Sequence, residues 1–114
     1  MSTDSIETFR RQVEQQSRQR FPDAPIESHV TRHVRINLRV ECNEDTFVDI
    51  FYNALTDRQD FALIHRSSRV FGIDNLGGWH VHPLADPSEH RSCDDPEIDE
   101  VFRQLREAYD ALNG

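Results

Sequence analysis

Apolar and polar residues alternate from Val34 onward, with Val34, Ile36, Leu38 and Val40 on one parity and Arg35, Asn37 and Arg39 on the other. Successive side chains of an extended strand point to opposite faces, so this stretch predicts a strand with one buried and one solvated side. Thr46 to Asn53, rich in aromatic and branched residues, predicts a second strand, and Asn43-Glu44-Asp45 the turn that makes the two a hairpin. Asp60 to Arg66 and Arg69 to Ile73 follow, divided by turn residues at Thr56-Asp57-Arg58 and Ser67-Ser68, and Trp79 to His82 offers a fifth strand. Such short connections imply an antiparallel meander.

At both ends the period changes from two to helical. Ile6, Phe9 and Val13 share a face, Asp4 with Glu7 forms an aspartate version of a capping box, and Pro22 stops the pattern, predicting a helix from Ser5 to Arg20. Its second half, Glu14 to Arg20, is almost wholly polar and predicts a solvated end or a partner contact. Phe21 to Ser28 holds two prolines and reads as a connector. Near the C-terminus, Ile98, Val101, Phe102, Leu105, Ala108, Tyr109 and Leu112 recur on one face, with Asp95 as N-cap, Pro96 in the first turn, and Glu97, Asp99 and Glu100 where the helix dipole favours negative charge. The expected fold is α+β: an antiparallel meander of four or five strands packed against an N-terminal and a C-terminal helix. The chain divides as a single domain, 1–114, into helix and connector (1–28), sheet (29–83), loop (84–95) and helix (96–113).

Composition changes the picture in two respects. Seven Phe, two Tyr and one Trp supply a core, so the polar remainder describes a surface and not disorder. The 21 acidic residues outnumber 13 basic ones, all of them Arg, for a net charge of -8. An acidic surface weighs against an ordinary nucleic-acid binder, whose affinity rests on cations facing phosphate. Salt adaptation to a halophilic cytoplasm and a GC-rich genome that favours Arg over Lys both account for this composition. The two cysteines, Cys42 and Cys93, lack the density of a disulfide scaffold and are expected to be free thiols. No apolar run has the length of a membrane span or a signal-peptide core, so the expected location is cytoplasmic, with no membrane partner.

Chemistry concentrates in Phe71 to His82. On an extended segment His80 and His82 share a face, about 7 Å apart, and two arrangements follow from that. In one, His80, His82, His90 and Cys93 hold a zinc ion, although the spacing H-x-H-x7-H-x2-C is not a specific signature. In the other, His80 and His82 act without a metal as general acid and base, Asp74 orients one of them, and Arg35, Arg39 or Arg69 stabilises a phosphate, as in cleavage of RNA through its 2′-hydroxyl. Ordinary alternatives stand beside both: surface imidazoles, a buried thiol, arginines paired on a solvated sheet, and Asp74 and Asn75 as turn formers. A structural domain that oligomerises through its long helices is a third reading.

The succession Arg69, Phe71, Gly72, Ile73, Asp74, Asn75 (R-x-F-G-I-D-N), then His80 and His82, then Pro87-Ser88-Glu89 and an acidic amphipathic C-terminal helix resembles the TumE-like toxins of prokaryotic toxin-antitoxin systems. The resemblance covers roughly residues 30–112. It departs from that family at Leu76-Gly77-Gly78-Trp79, where the family is richer in proline and histidine. It implies growth inhibition, with RNA as substrate and a cognate antitoxin as partner. It matches Asp74, Asn75, His80 and His82 to motif positions, Asn75 on the substrate side, without transferring catalytic roles to them.

Overall fold

The computed structural model describes residues 3–113; of Thr3 and Asp4 only the backbone is described, so the capping role expected of the Asp4 side chain lies outside the described residues. Two helices, α1 (Thr3–Arg20) and α2 (Ile98–Asn113), enclose seven strands in sequence: β1 (Ile26–Thr31), β2 (Arg35–Asn43), β3 (Thr46–Asn53), β4 (Arg58–His65), β5 (Ser68–Asp74), β6 (His80–His82) and β7 (Arg91–Ser92). They form one antiparallel sheet whose spatial order is the chain order, a pure meander. The α+β class is as the sequence implies. The strand count is higher because two strands formed where sequence reading placed a connector and a loop.

Alternation decides which face the helices cover. Ile36, Leu38 and Val40 of β2 are buried, as are Val48, Ile50 and Tyr52 of β3, Phe61 and Leu63 of β4, and Phe71 and Ile73 of β5. Against them lie Ile6, Phe9 and Val13 of α1 and Val101, Phe102, Leu105 and Ala108 of α2. Phe61 links the layers: its ring centroid is 6.0 Å from Phe9 and 6.4 Å from Phe102. Phe9 borders Ile98 and Val101, while Phe21, just past α1, meets Tyr109 edge-on at 5.6 Å, so the two helices run side by side in the same direction. The polar end of α1 is not simply solvated. Ser17 is buried, and Arg106 of α2 donates to the Arg20 carbonyl at 2.7 Å, satisfying one of the carbonyls that a helix C-terminus leaves open.

The opposite sheet face carries no helix. Cross-strand pairing puts Arg39, Asp49, Ala62, Gly72 and His82 in one row, and Asn37, Phe51, Asp60, Asp74 and His80 in the next. Arg39 lies over the Phe47 ring at 4.0 Å. Arg32 and His33 lie in the β1–β2 turn, where both have positive φ. A bulge at Val70 shifts the β4–β5 register, so that Arg69 pairs with Ile64 and turns to the open face, whereas simple alternation from Phe71 would have sent it to the core. Helix α2 begins at Ile98, with Val101 N–H bonding the Glu97 carbonyl, so its start lies two residues beyond the Asp95-Pro96 signal.

Candidate functional site

The site occupies the end of the open face, where β5, β6 and β7 meet. Asp74 closes β5, and its Oδ1 accepts the Leu76 amide at 3.0 Å, starting the turn that Gly77 (φ 70°) and Gly78 (φ 111°) complete. Residues with side chains rarely adopt those angles, so the two glycines make the reversal into β6. Antiparallel pairing then sets His80 opposite Asp74 and His82 opposite Gly72. The β6–β7 register pairs His80 with Ser92 and Val81 with Arg91. One step further, that same register carries His90 opposite His82, which is why the two rings lie 4.3 Å apart.

Three imidazoles therefore cluster, and two of them, His80 and His82, stand on one carboxylate. His82 Nε2 donates to Asp74 Oδ2 at 3.0 Å, and His80 Nε2 stands 3.2 Å from Oδ1. The His80 Nδ1 lies 2.9 Å from the Gly78 carbonyl. Asp74 is 5% exposed and His82 2%. The floor beneath His82 is Gly72: a Cβ there would sit 3.6 Å from the His82 ring, 3.4 Å from the Arg69 stem and 3.4 Å from the Phe61 carbonyl. One donor atom from each of His80, His82 and His90 falls within 4.8 Å of the others, and Asp74 is not in that set. The Nδ1 of His82 is buried and has no hydrogen-bond partner among the described residues. A buried polar atom without a partner costs free energy, of order 1–3 kcal/mol.

Other residues singled out from the sequence lie elsewhere. Cys93 continues the ladder through its amide, which bonds the Trp79 carbonyl at 3.1 Å; parity therefore gives it the Trp79 side of the sheet, away from the histidines. Its thiol is exposed, with a pKa raised by partial burial and by Asp94 and Asp95. Cys42, also free, is held up to about 11 by burial, against the opposing effect of Arg106. Arg35 and Arg39 belong to β2, four strands from β6, a separation of roughly 19 Å. Arg39 faces Asp49 instead, whose pKa is raised by burial and lowered in part by that arginine. Arg69 does reach the site's edge, its stem crossing Gly72 beside His82. Next to Asp74, Asp60 has a raised pKa, through burial first and the Asp74 charge second, with Arg58 and Arg69 opposing.

Asn75 spends its side chain on the backbone. Its Oδ1 accepts the Gln59 amide at 2.8 Å and its Nδ2 donates to the Asp57 carbonyl at 2.8 Å, tying the β3–β4 turn to the end of β5. Adjacent residues of the D-N pair thus serve different ends, Asp74 the histidines and Asn75 the turn. Replacing Asn75 with Ala will lower stability by about 1–2 kcal/mol, the worth of two neutral hydrogen bonds. Urea unfolding measures this, and an unchanged midpoint would show that the latch contributes nothing.

Compared with protein-family models, curated proteins and solved structures, the chain finds no match in any of the three. No described helix is long and apolar enough to cross a membrane.

Proposed function

We propose that the protein is a metal-binding module in which His80, His82 and His90 hold a divalent transition-metal ion, with zinc the first choice. The observation that carries this reading is the cluster itself, with one nitrogen from each of His80, His82 and His90 within 4.8 Å of the others; beside it, the buried His82 ring is bonded through Nε2 to Asp74 and its Nδ1 has no partner among the described residues. Metal-bound histidines commonly give their second N–H to a carboxylate or carbonyl, which fixes the tautomer and leaves the lone pair on the other nitrogen. Asp74 supplies that acceptor to His82, and the Gly78 carbonyl supplies it to His80 Nδ1, freeing His80 Nε2 once its longer contact to Asp74 yields. Neutral imidazole suits zinc, and three histidines leave a fourth position for water or substrate. The expected cofactor set is narrower than the one first drawn from sequence, since Cys93 does not converge with the histidines.

The test is metal analysis of tag-free protein together with zinc titration by calorimetry. Wild type and Cys93→Ala will bind one equivalent, and His82→Ala and His90→Ala will not. Binding that survives both histidine substitutions would remove the proposal.

A second reading uses the same residues without metal. Both nitrogens of His80 face acceptors, Asp74 and the Gly78 carbonyl, which fixes the ring's orientation as general acid–base chemistry requires. Together with the resemblance to TumE-like toxins, this supports a ribonuclease neutralised by an antitoxin. RNA cleavage that persists in excess chelator and vanishes in His80→Ala would favour it. Cleavage that requires added zinc would favour the metal centre.

A further inference from the structure

We propose that β1 is a self-association edge, and that two copies of this chain join there in an antiparallel pair to form one continuous sheet. The two edges of the sheet differ in how they are guarded. At one, β7 is two residues long and exposed, with charged Arg91. At the other, β1 runs six residues, Ile26 to Thr31, with an even register to β2 and with neither proline nor bulge inside it. Strand edges of that kind present unpaired amides and carbonyls, and short strands, bulges, prolines and charges are the usual guards against pairing.

The phase of the free hydrogen bonds follows from one contact. The Glu41 amide bonds the Pro25 carbonyl, and Pro25 stands opposite Glu41 in the β1–β2 register. Alternate residues of an antiparallel strand bond to the same side, so Glu27, His29 and Thr31 are spent on β2, while Ile26, Ser28 and Val30 direct their N–H and C=O groups to the open edge. A twofold axis through Ser28 makes those groups complementary to themselves. Ser28 meets Ser28 of the second copy, and Ile26 meets Val30, each pair exchanging both of its backbone bonds.

Side chains agree with that register. Ile26 and Val30 are half-buried, lie on the helix-covered face and already pack against the core, so their pairing extends it across the axis. On the open face Glu27 falls opposite His29 of the second copy in a non-hydrogen-bonded pair, where side chains approach most closely. Centring the axis on Glu27 or on His29 would set like side chains against each other. Only the Ser28 centre unites the apolar pair and the acid–imidazole pair.

Sedimentation of the full chain, diluted from about 1 mM to about 1 μM, tests this. Wild type will shift between the 13.4 kDa chain and a species of twice that mass. Ser28→Pro removes an outward N–H and no bond to β2, a position where an edge strand tolerates proline; it will remain monomeric throughout, with an unchanged far-UV spectrum. Glu27→Arg will also weaken the dimer, and adding His29→Glu will restore it by exchanging the charges. A wild type monomeric at every concentration would overturn the proposal. So would a dimer that Ser28→Pro leaves intact, or, if Ser28→Pro fails to fold, a dimer indifferent to the Glu27→Arg change and its rescue.

Discussion

With His80, His82 and His90 as the proposed ligands, Asp74→Asn will weaken zinc binding about 10- to 100-fold, the usual effect of losing the group that orients a metal-bound histidine. An asparagine keeps the shape and the Oδ1 that accepts the Leu76 amide, so the turn survives. What changes is the tautomer of His82. An amide Nδ2 opposite His82 Nε2 donates where the carboxylate accepted, and the imidazole proton moves to Nδ1, the atom that the proposed site assigns to the ion. Asp74→Ala carries a different penalty. It strips the buried His82 of its one partner and takes away the Leu76 amide's acceptor, and leaving a buried donor unsatisfied costs about 1–3 kcal/mol. The two substitutions therefore separate affinity from stability: the Asn variant shows a zinc defect with a nearly normal urea midpoint, and the Ala variant loses both. Wild-type zinc affinity in Asp74→Asn would mean that the ion does not use His82 Nδ1.

Much of this site was legible because period-two alternation is a local property. The four-residue stretch Trp79 to His82 suffices to place His80 and His82 on one face, and pairing with β5 then sets them against Asp74 and Gly72. His90 was legible as a chemical type but not as a neighbour, since its arrival depends on the path taken by residues 83–91 before β7 pairs with β6. Parity past that point also separates Cys93 from the histidines, a separation that counting residues could not supply. For Arg69 the deciding feature is the Val70 bulge, one extra residue that reverses which face the side chain takes. Strand β1 escaped notice for a physical reason: an edge strand buries little, and Glu27, Ser28 and His29 give no apolar alternation beyond Ile26 and Val30. Helix α2 and strands β2 and β3 stood out because each buries a full face, which requires unbroken periodicity.

Phe61→Ala will be the most damaging single truncation in the core, at about 3–5 kcal/mol. A domain of this size is stable by only about 5–15 kcal/mol, so the loss takes a large share of the total. The ring is 1% exposed and stands on the central strands, beneath both helices. Its removal opens a cavity lined by Phe9 and Phe102, whose positions are fixed by α1 and α2 and which cannot collapse together without moving a helix. The consequence reaches the open face through the backbone. The Phe61 carbonyl is among the nearest atoms above Gly72, on which the His82 ring rests, and Phe61 pairs with Ile73, the residue before Asp74. Phe61→Leu, which retains most of the apolar volume, will recover much of the lost stability. In urea unfolding Phe61→Ala will show a lower midpoint. Zinc held by the proposed histidine site of the folded chain will add RT ln(1 + [L]/Kd) to the unfolding free energy of the variant, with Kd that of the variant itself. A Phe61→Ala variant as stable as wild type would refute the account of the two helices meeting the sheet through this ring.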